Sequence, residues 1–237
     1  MNFNIDVLQV FEIFGVEVWI TQTIVNTWII MLILIVLAVA VRIILRKFES
    51  VPKGLQNFIE TAVEAFDGVV KKSAGPRFMN LGGWYFMVFA FILVSSLASI
   101  FGLRPPTADF ATTFAFAMVT FVLIQYMGVR YRKGKYLISM LNPLNLIGEL
   151  ARPLSLSFRL FGNMLAGMIL MSLVYALFPV YLQFIIPAPL HFFFDIFFGV
   201  LQTYIFCVLS LTFIGSAADN SMDKPSGKKT KKQVINQ

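Results

Sequence analysis

Six polar side chains stand in stretches that are otherwise almost wholly apolar: Glu149, Arg152, Arg159, Asn163, Asp195 and Gln202. Arg159 constrains the chemistry most. A guanidinium stays protonated in proteins, so burial does not remove its charge. From Asn142 to Leu177 the only charged residues are Glu149, Arg152 and Arg159, and Arg159 lies 14 positions beyond Asn145. That is roughly 20 Å along a helix axis, well inside a hydrocarbon core about 30 Å thick. An Arg there costs about 2.5–3.5 kcal/mol on insertion scales, so it normally faces a partner or a wet cavity. The chemistry on offer is a permanent cation that meets an anion, water or both.

The other five residues are read around that cation. Asn163 follows Arg159 by four positions and shares its helix face. Gly162, Ala166 and Gly167 nearby leave room for another helix to approach. Gln202 lies two helical turns beyond Asp195, on the same face of an α-helix and near the depth of Arg159. Asp195 from one side, then Gln202, Asn163 and Arg159, then Glu149 and Arg152 on the other side, form a vertical polar series. Plainer roles remain open: interhelical hydrogen-bonding glue for Asn163, a surface acid for Asp195, an acid paired to Arg152 for Glu149, a snorkelling stem for Arg152, and an intrabundle pair for Arg159.

The elements that hold these residues are transmembrane helices. The 237-residue chain is 58% hydrophobic and only 13% charged, against about 25% charged for a soluble domain. An all-α polytopic membrane protein follows, a single membrane domain over 1–237. Uncharged or nearly uncharged runs predict five spans at about 24–41, 82–102, 110–128, 145–178 and 191–216. The fourth is far longer than the roughly 20 residues that cross upright, so it must tilt strongly or break. It is expected to pack as a hairpin with the fifth across a turn carrying Pro179, Pro187 and Pro189. Residues 55–72 place apolar side chains at i, i+3, i+4 and i+7, opposite Glu60, Glu64 and Asp67, and read as an amphipathic helix on the cytoplasmic face. The tail, 217–237, is basic and read as flexible.

Of 19 Lys and Arg residues, 16 fall in segments that five spans with an outside N-terminus place in the cytoplasm, and only Arg104 falls outside. This split predicts the orientation and explains the net charge of +7 without nucleic acid. A lone Cys207 forms no internal disulfide and is read as a small apolar helix residue. A lone His191, beside Pro187 and Pro189, is read as part of an interfacial turn. Neither suggests a metal centre. With no Lys or Arg before Arg42, a cleaved signal peptide is not expected.

The run RPLSLSFRLFGNMLAG, Arg152 to Gly167, closely resembles the signature of subunit a of F-type ATP synthases, and LQTYIFCVLSLTFI, Leu201 to Ile214, resembles that family's last helix. The likeness extends over about 78–216. It implies a stator of the bacterial cell membrane, non-catalytic by itself and without a cofactor. Its partners would be a rotating c-subunit ring, the b-subunit peripheral stalk, the catalytic ATPase head through the complex, and the lipid bilayer. It also implies two aqueous half-channels for H⁺ or Na⁺, with Arg159 matching the Arg that separates them and Gln202 the Gln beside it. One departure stands out: where many relatives carry a carboxylate or His, five residues after Asn163, this chain has Met168. Asp195 takes the position where relatives often carry His or Glu, and is expected to be the main titratable group of the outer half-channel. Glu149 is the candidate on the cytoplasmic side.

Two other classes compete. A stand-alone secondary transporter would use an intramembrane Arg to bind an anionic substrate, but no duplication of spans is evident. An intramembrane aspartyl protease needs two acids, and Asp195 is the only Asp within a span.

Overall fold

A computed structural model describes residues 7–13, 16–45, 54–179, 185 and 187–218. Five helical segments are long and apolar enough to cross a membrane: Gln22–Ile44, Pro76–Phe101, Phe110–Arg132, Pro143–Leu177 and Pro187–Ala218. Their number is the five expected from composition, and the second and fourth end one residue short of the expected 102 and 178.

A short antiparallel pair precedes the first span, β1 (Val7–Ile13) and β2 (Val16–Thr21), with Val10 opposite Trp19. The sequence reading assigned no structure there. Alternation in Val16–Glu17–Val18 carries the strand signal, which is weak over so few residues. Helix α1 (Gln22–Leu45) follows directly and leaves most of its large apolar side chains exposed, as a lipid-facing span does. Its buried Asn26 donates to the Arg104 carbonyl at 2.9 Å, which fastens α1 to the α3–α4 connection.

The amphipathic segment is helix α2 (Leu55–Ser73), with Lys71 and Lys72 in its last turn, at the negative end of the dipole. It packs on its neighbours as well as presenting a polar face: Val70 is fully buried and Phe66 meets Phe86 and Phe89 edge-on. A 3₁₀ turn, Pro76–Leu81, leads into α3 (Gly82–Ala98). The α3–α4 connection carries Pro105 and Pro106 and an Arg104–Asp109 ion pair of 3.2 Å.

Helix α4 (Phe110–Arg132) is the hub. It buries Thr113, Ala117, Thr120, Ile124 and Gly128, small or slim residues at helical spacing, against the last two spans. Short α5 (Gly134–Met140) turns back beneath it, with the Tyr136 ring across Gly128.

The fourth span is one unbroken helix, α6 (Pro143–Leu177), although Pro153 lies inside it. The expected alternative, a break, is not taken. Pro153 costs the Glu149 carbonyl its helical donor, and the chain carries on. Its 35 residues reach about 52 Å, longer than an upright crossing needs. The most extensive neighbour of α6 is α4; it touches the last span near Gly167, where a methyl group would stand 3.6 Å from Phe194 Cβ.

The fifth span is composite. Short α7 (Pro187–His191) runs into a π-helical segment, Phe192–Phe198, and then α8 (Gly199–Ala218). Cys207 is buried in α8 as a small apolar residue would be. The tail beyond Ala218, like Arg46, Lys47 and Lys53, lies outside the described residues.

Candidate functional site

Helix α6 carries two stripes of opposite character. Pro153, Leu156, Ser157, Leu160, Met164, Gly167 and Met171 are buried. On the other side Ala151, Ser155, Arg159, Ala166, Ile169 and Leu173 are exposed, spaced by helical turns. Arg159 therefore points out of this chain. Among the described residues it forms no ion pair or hydrogen bond. A Cβ added at Gly162 would meet nothing within 4 Å. The cation stands on an open strip bordered by small side chains.

Asn163 is one turn on. A four-residue step rotates by about 40°, which turns Asn163 toward the buried stripe. Its Nδ2 is buried without a hydrogen-bond partner, and the residue lines a cavity of about 690 Å³ beneath the α3–α4 connection. Met168, Tyr175, His191 and Asp195 line the same cavity, as do Arg104 and Asp109. Asp195 is 7% exposed and pairs with His191, whose Nδ1 lies 2.5 Å from its Oδ2. The Tyr175 hydroxyl stands 3.5 Å from the other ring nitrogen. His191 was read from sequence as a turn residue. The signal that identifies it is its four-residue spacing from Asp195, which puts an imidazole and a carboxylate on one helical face.

Gln202 does not line that cavity. The seven-residue spacing from Asp195 assumed an α-helix throughout. The π segment closes i→i+5 turns and underwinds the helix, so that spacing does not hold across it. Gln202 is 6% exposed, and its Nε2 has no hydrogen-bond partner. The structure thus brings Asn163 and Asp195 to one cavity and leaves Arg159 and Gln202 outside it.

At the other end of α6, Glu149 is 9% exposed and lies 2.7 Å from Arg152, an ion-pair contact and not an aligned hydrogen bond. Gln125 Nε2 donates to Glu149 at 3.4 Å, and the Tyr136 hydroxyl donates to Gln125 Oε1 at 3.1 Å. The Arg152 guanidinium also lies 5.2 Å from the Phe213 ring centre. Arg152 is thus tied into a network and does not simply snorkel. Burial first, then the charge of Glu149, pushes the Tyr136 hydroxyl up to about 12. Gln125 and Tyr136 escaped the sequence reading, because neither carries a spacing signal to Glu149.

Among the described residues there are five candidate spans, a cation without an ion pair on an outward face, one buried acid in a cavity and a second, paired acid near the other end of α6. A helical membrane protein of this kind is built like an ion-handling membrane subunit. Comparison with known proteins agrees. Residues 24–215 match the family described as ATP synthase A chain. The chain is 33% identical over 226 residues to the ATP synthase subunit a, sodium ion specific, of Propionigenium modestum, covering 84% of this chain and 75% of that one. It is 31% identical over 217 residues to the ATP synthase subunit a of Moorella thermoacetica, covering 88% and 95%. It is 35% identical over 210 residues to an ATP synthase subunit a 2 of Bradyrhizobium, covering 84% and 89%. The chain belongs to the ATP synthase A chain family: it is a multi-pass membrane protein with the ion-translocating role of the synthase membrane sector. None of the comparisons supports the stand-alone transporter.

Proposed function

We propose that this subunit forms two aqueous half-channels against a rotating c-subunit ring, with Arg159 as the electrostatic divider between them. The observation that carries this reading is the position of Arg159: outward, without a partner among the described residues, on an exposed strip where Gly162 leaves open space. A cation that its own fold leaves unpaired suits a carboxylate carried past by another protein. The fixed charge favours the ionised form of that carboxylate as it arrives, so its ion leaves toward one side. It also repels any cation that would cross directly between the channels. A lasting ion pair would stop rotation; Gln202, matched to the family Gln beside this Arg, makes no bond to it in this structure and would have to turn its amide oxygen toward the guanidinium to receive it between carboxylates.

The cavity of Asn163 and Asp195 is the outer half-channel in this account, with Asp195 its titratable group. Glu149 belongs to the cytoplasmic side. The distribution of Lys and Arg supports an N-terminus outside and a C-terminus inside. Within the complex the subunit is a non-catalytic stator of the bacterial cell membrane, held by the b-subunit stalk and coupled through the complex to the ATPase head. It serves H⁺ or Na⁺ flow.

Cysteine cross-linking tests the proposed contact. With Cys207 replaced by Ser, cysteines at Ser155 and Ala166 should form disulfides with cysteines on the carboxylate-bearing helix of the c subunit. Cysteines at buried Leu156 and Leu160 should not. Equal cross-linking from both sets, or none from the exposed set in an assembled complex, contradicts the reading.

A further inference from the structure

We propose that His191 is the outermost proton-exchanging group of the outer half-channel and hands protons to Asp195 across their shared hydrogen bond. The inference rests on the reading of that cavity as the outer channel.

Four observations converge on His191. It lines the cavity itself, together with Asp195 and Asn163. Its Nδ1 is 2.5 Å from Asp195 Oδ2, while its Nε2 is left for the Tyr175 hydroxyl at 3.5 Å, long for a hydrogen bond. The ring therefore has one nitrogen on the carboxylate and the other near the hydroxyl of Tyr175, a residue that also lines the cavity. The opposite wall supplies no titratable group at Met168, whose thioether takes no proton in this range. The π turn that holds Asp195 is the kind of helical irregularity found frequently at functional sites.

Arg104 and Asp109 line the cavity from the α3–α4 connection and pair with each other at 3.2 Å. Tyr175 comes from α6. A phenol titrates near pH 10 and an unpaired carboxyl near 4, whereas imidazole gains and loses its proton between about pH 5 and 8. An imidazole beside the carboxylate adds a second site that can both take up and pass on a proton.

The transfer balances without any further reactant. A proton from water binds Nε2 and gives imidazolium. The Nδ1 proton moves to Asp195 Oδ2, leaving a neutral ring and a neutral acid. Asp195 then releases its proton inward and becomes a carboxylate again, and a half-turn of the neutral ring brings the protonated nitrogen back to the carboxylate and the bare one out to accept the next proton. No electron pair leaves either residue.

The test uses the complete complex in proteoliposomes, with synthesis driven by an imposed gradient and outer pH varied from about 6 to 8.5. His191→Gln keeps a donor for Asp195 but does not titrate. It is expected to run below the wild-type rate and to fall further behind as the outer pH rises. A wild-type profile in His191→Gln, or an equal loss at every pH, overturns the inference. So does transport that requires Na⁺ and carries radiolabelled sodium. Asp195→Asn separates the two claims. If it loses flux while His191→Gln does not, His191 alone is dismissed. If both match wild type, the outer-channel reading of the cavity fails as well.

Discussion

Arg159 and Asn163 occupy successive turns of α6, yet the guanidinium is exposed on the outer stripe and the Asn163 amide is buried against the cavity that holds Asp195. The small rotation between them separates an outward surface from an inward one. In the proposed mechanism that is the border an ion crosses between the outer cavity and a carboxylate on the ring.

Gln202 allows stability and transport to be separated. Its buried Nε2 has no hydrogen-bond partner, so Gln202→Leu breaks no bond at that atom and should leave thermal stability of the complex unchanged. If the amide holds Arg159 between carboxylates, losing a bond to a charged group costs about 1.5–3 kcal/mol, or about tenfold and more in coupled transport. Melting and ATP-driven pumping on the same preparation check both halves.

Two glycines give opposite predictions for the same change. A methyl at Gly128 would lie 2.5–2.7 Å from Tyr136 ring atoms, so Gly128→Ala should cost about 1–3 kcal/mol by overpacking. At Gly162 there is open space within this chain. Gly162→Leu should leave the fold of the subunit intact and impair pumping by obstructing the ring. Assembly yield, melting and pumping distinguish the two.

Tyr136 predicts a pH dependence. Its hydroxyl is pushed up to about 12 in the folded chain by burial and then by Glu149, against about 10 in the unfolded one. The neutral phenol is favoured on folding, so this contribution is full below pH 10 and is lost as pH rises from 10 toward 12. Tyr136→Phe should flatten that part of the alkaline stability profile. It should also cost about 1 kcal/mol at neutral pH through the lost bond to Gln125.

Glu149 and Arg152 form a largely buried pair, and removing one partner of such a pair costs about 3–5 kcal/mol when burial is complete. Arg152 is 27% exposed, so Glu149→Gln should fall at or below the lower end of that range. Replacing both by Leu and Met should recover most of the stability. If Glu149 also conducts on the cytoplasmic side, the double variant will be stable and still slow in pumping.

The sequence made the helices legible because lipid demands long apolar runs, and charges mark their ends. Arg159 was legible for the same reason: a permanent charge amid such a run has few structural uses. The residues read less well were those whose setting depends on helix winding or on tertiary contact. Asp195 and Gln202 were placed on one face by α-helical arithmetic, which the π turn between Asp195 and Phe198 invalidates. His191 was masked by the prolines around it, and its pairing with Asp195 requires knowing that the helix has already begun there. Gln125 reaches Glu149 only because α4 packs on α6. The β1–β2 pair carried too short an alternation to be read.

The central claim is that Arg159 works on a partner and not on its own fold. The direct measurement is ATP-driven ion pumping and gradient-driven synthesis by an assembled complex carrying Arg159→Ala. Because the side chain makes no hydrogen bond or ion pair among the described residues, the complex should assemble and its head should still hydrolyse ATP, while coupled transport disappears in both directions. Near-normal coupled pumping by that variant would contradict the account.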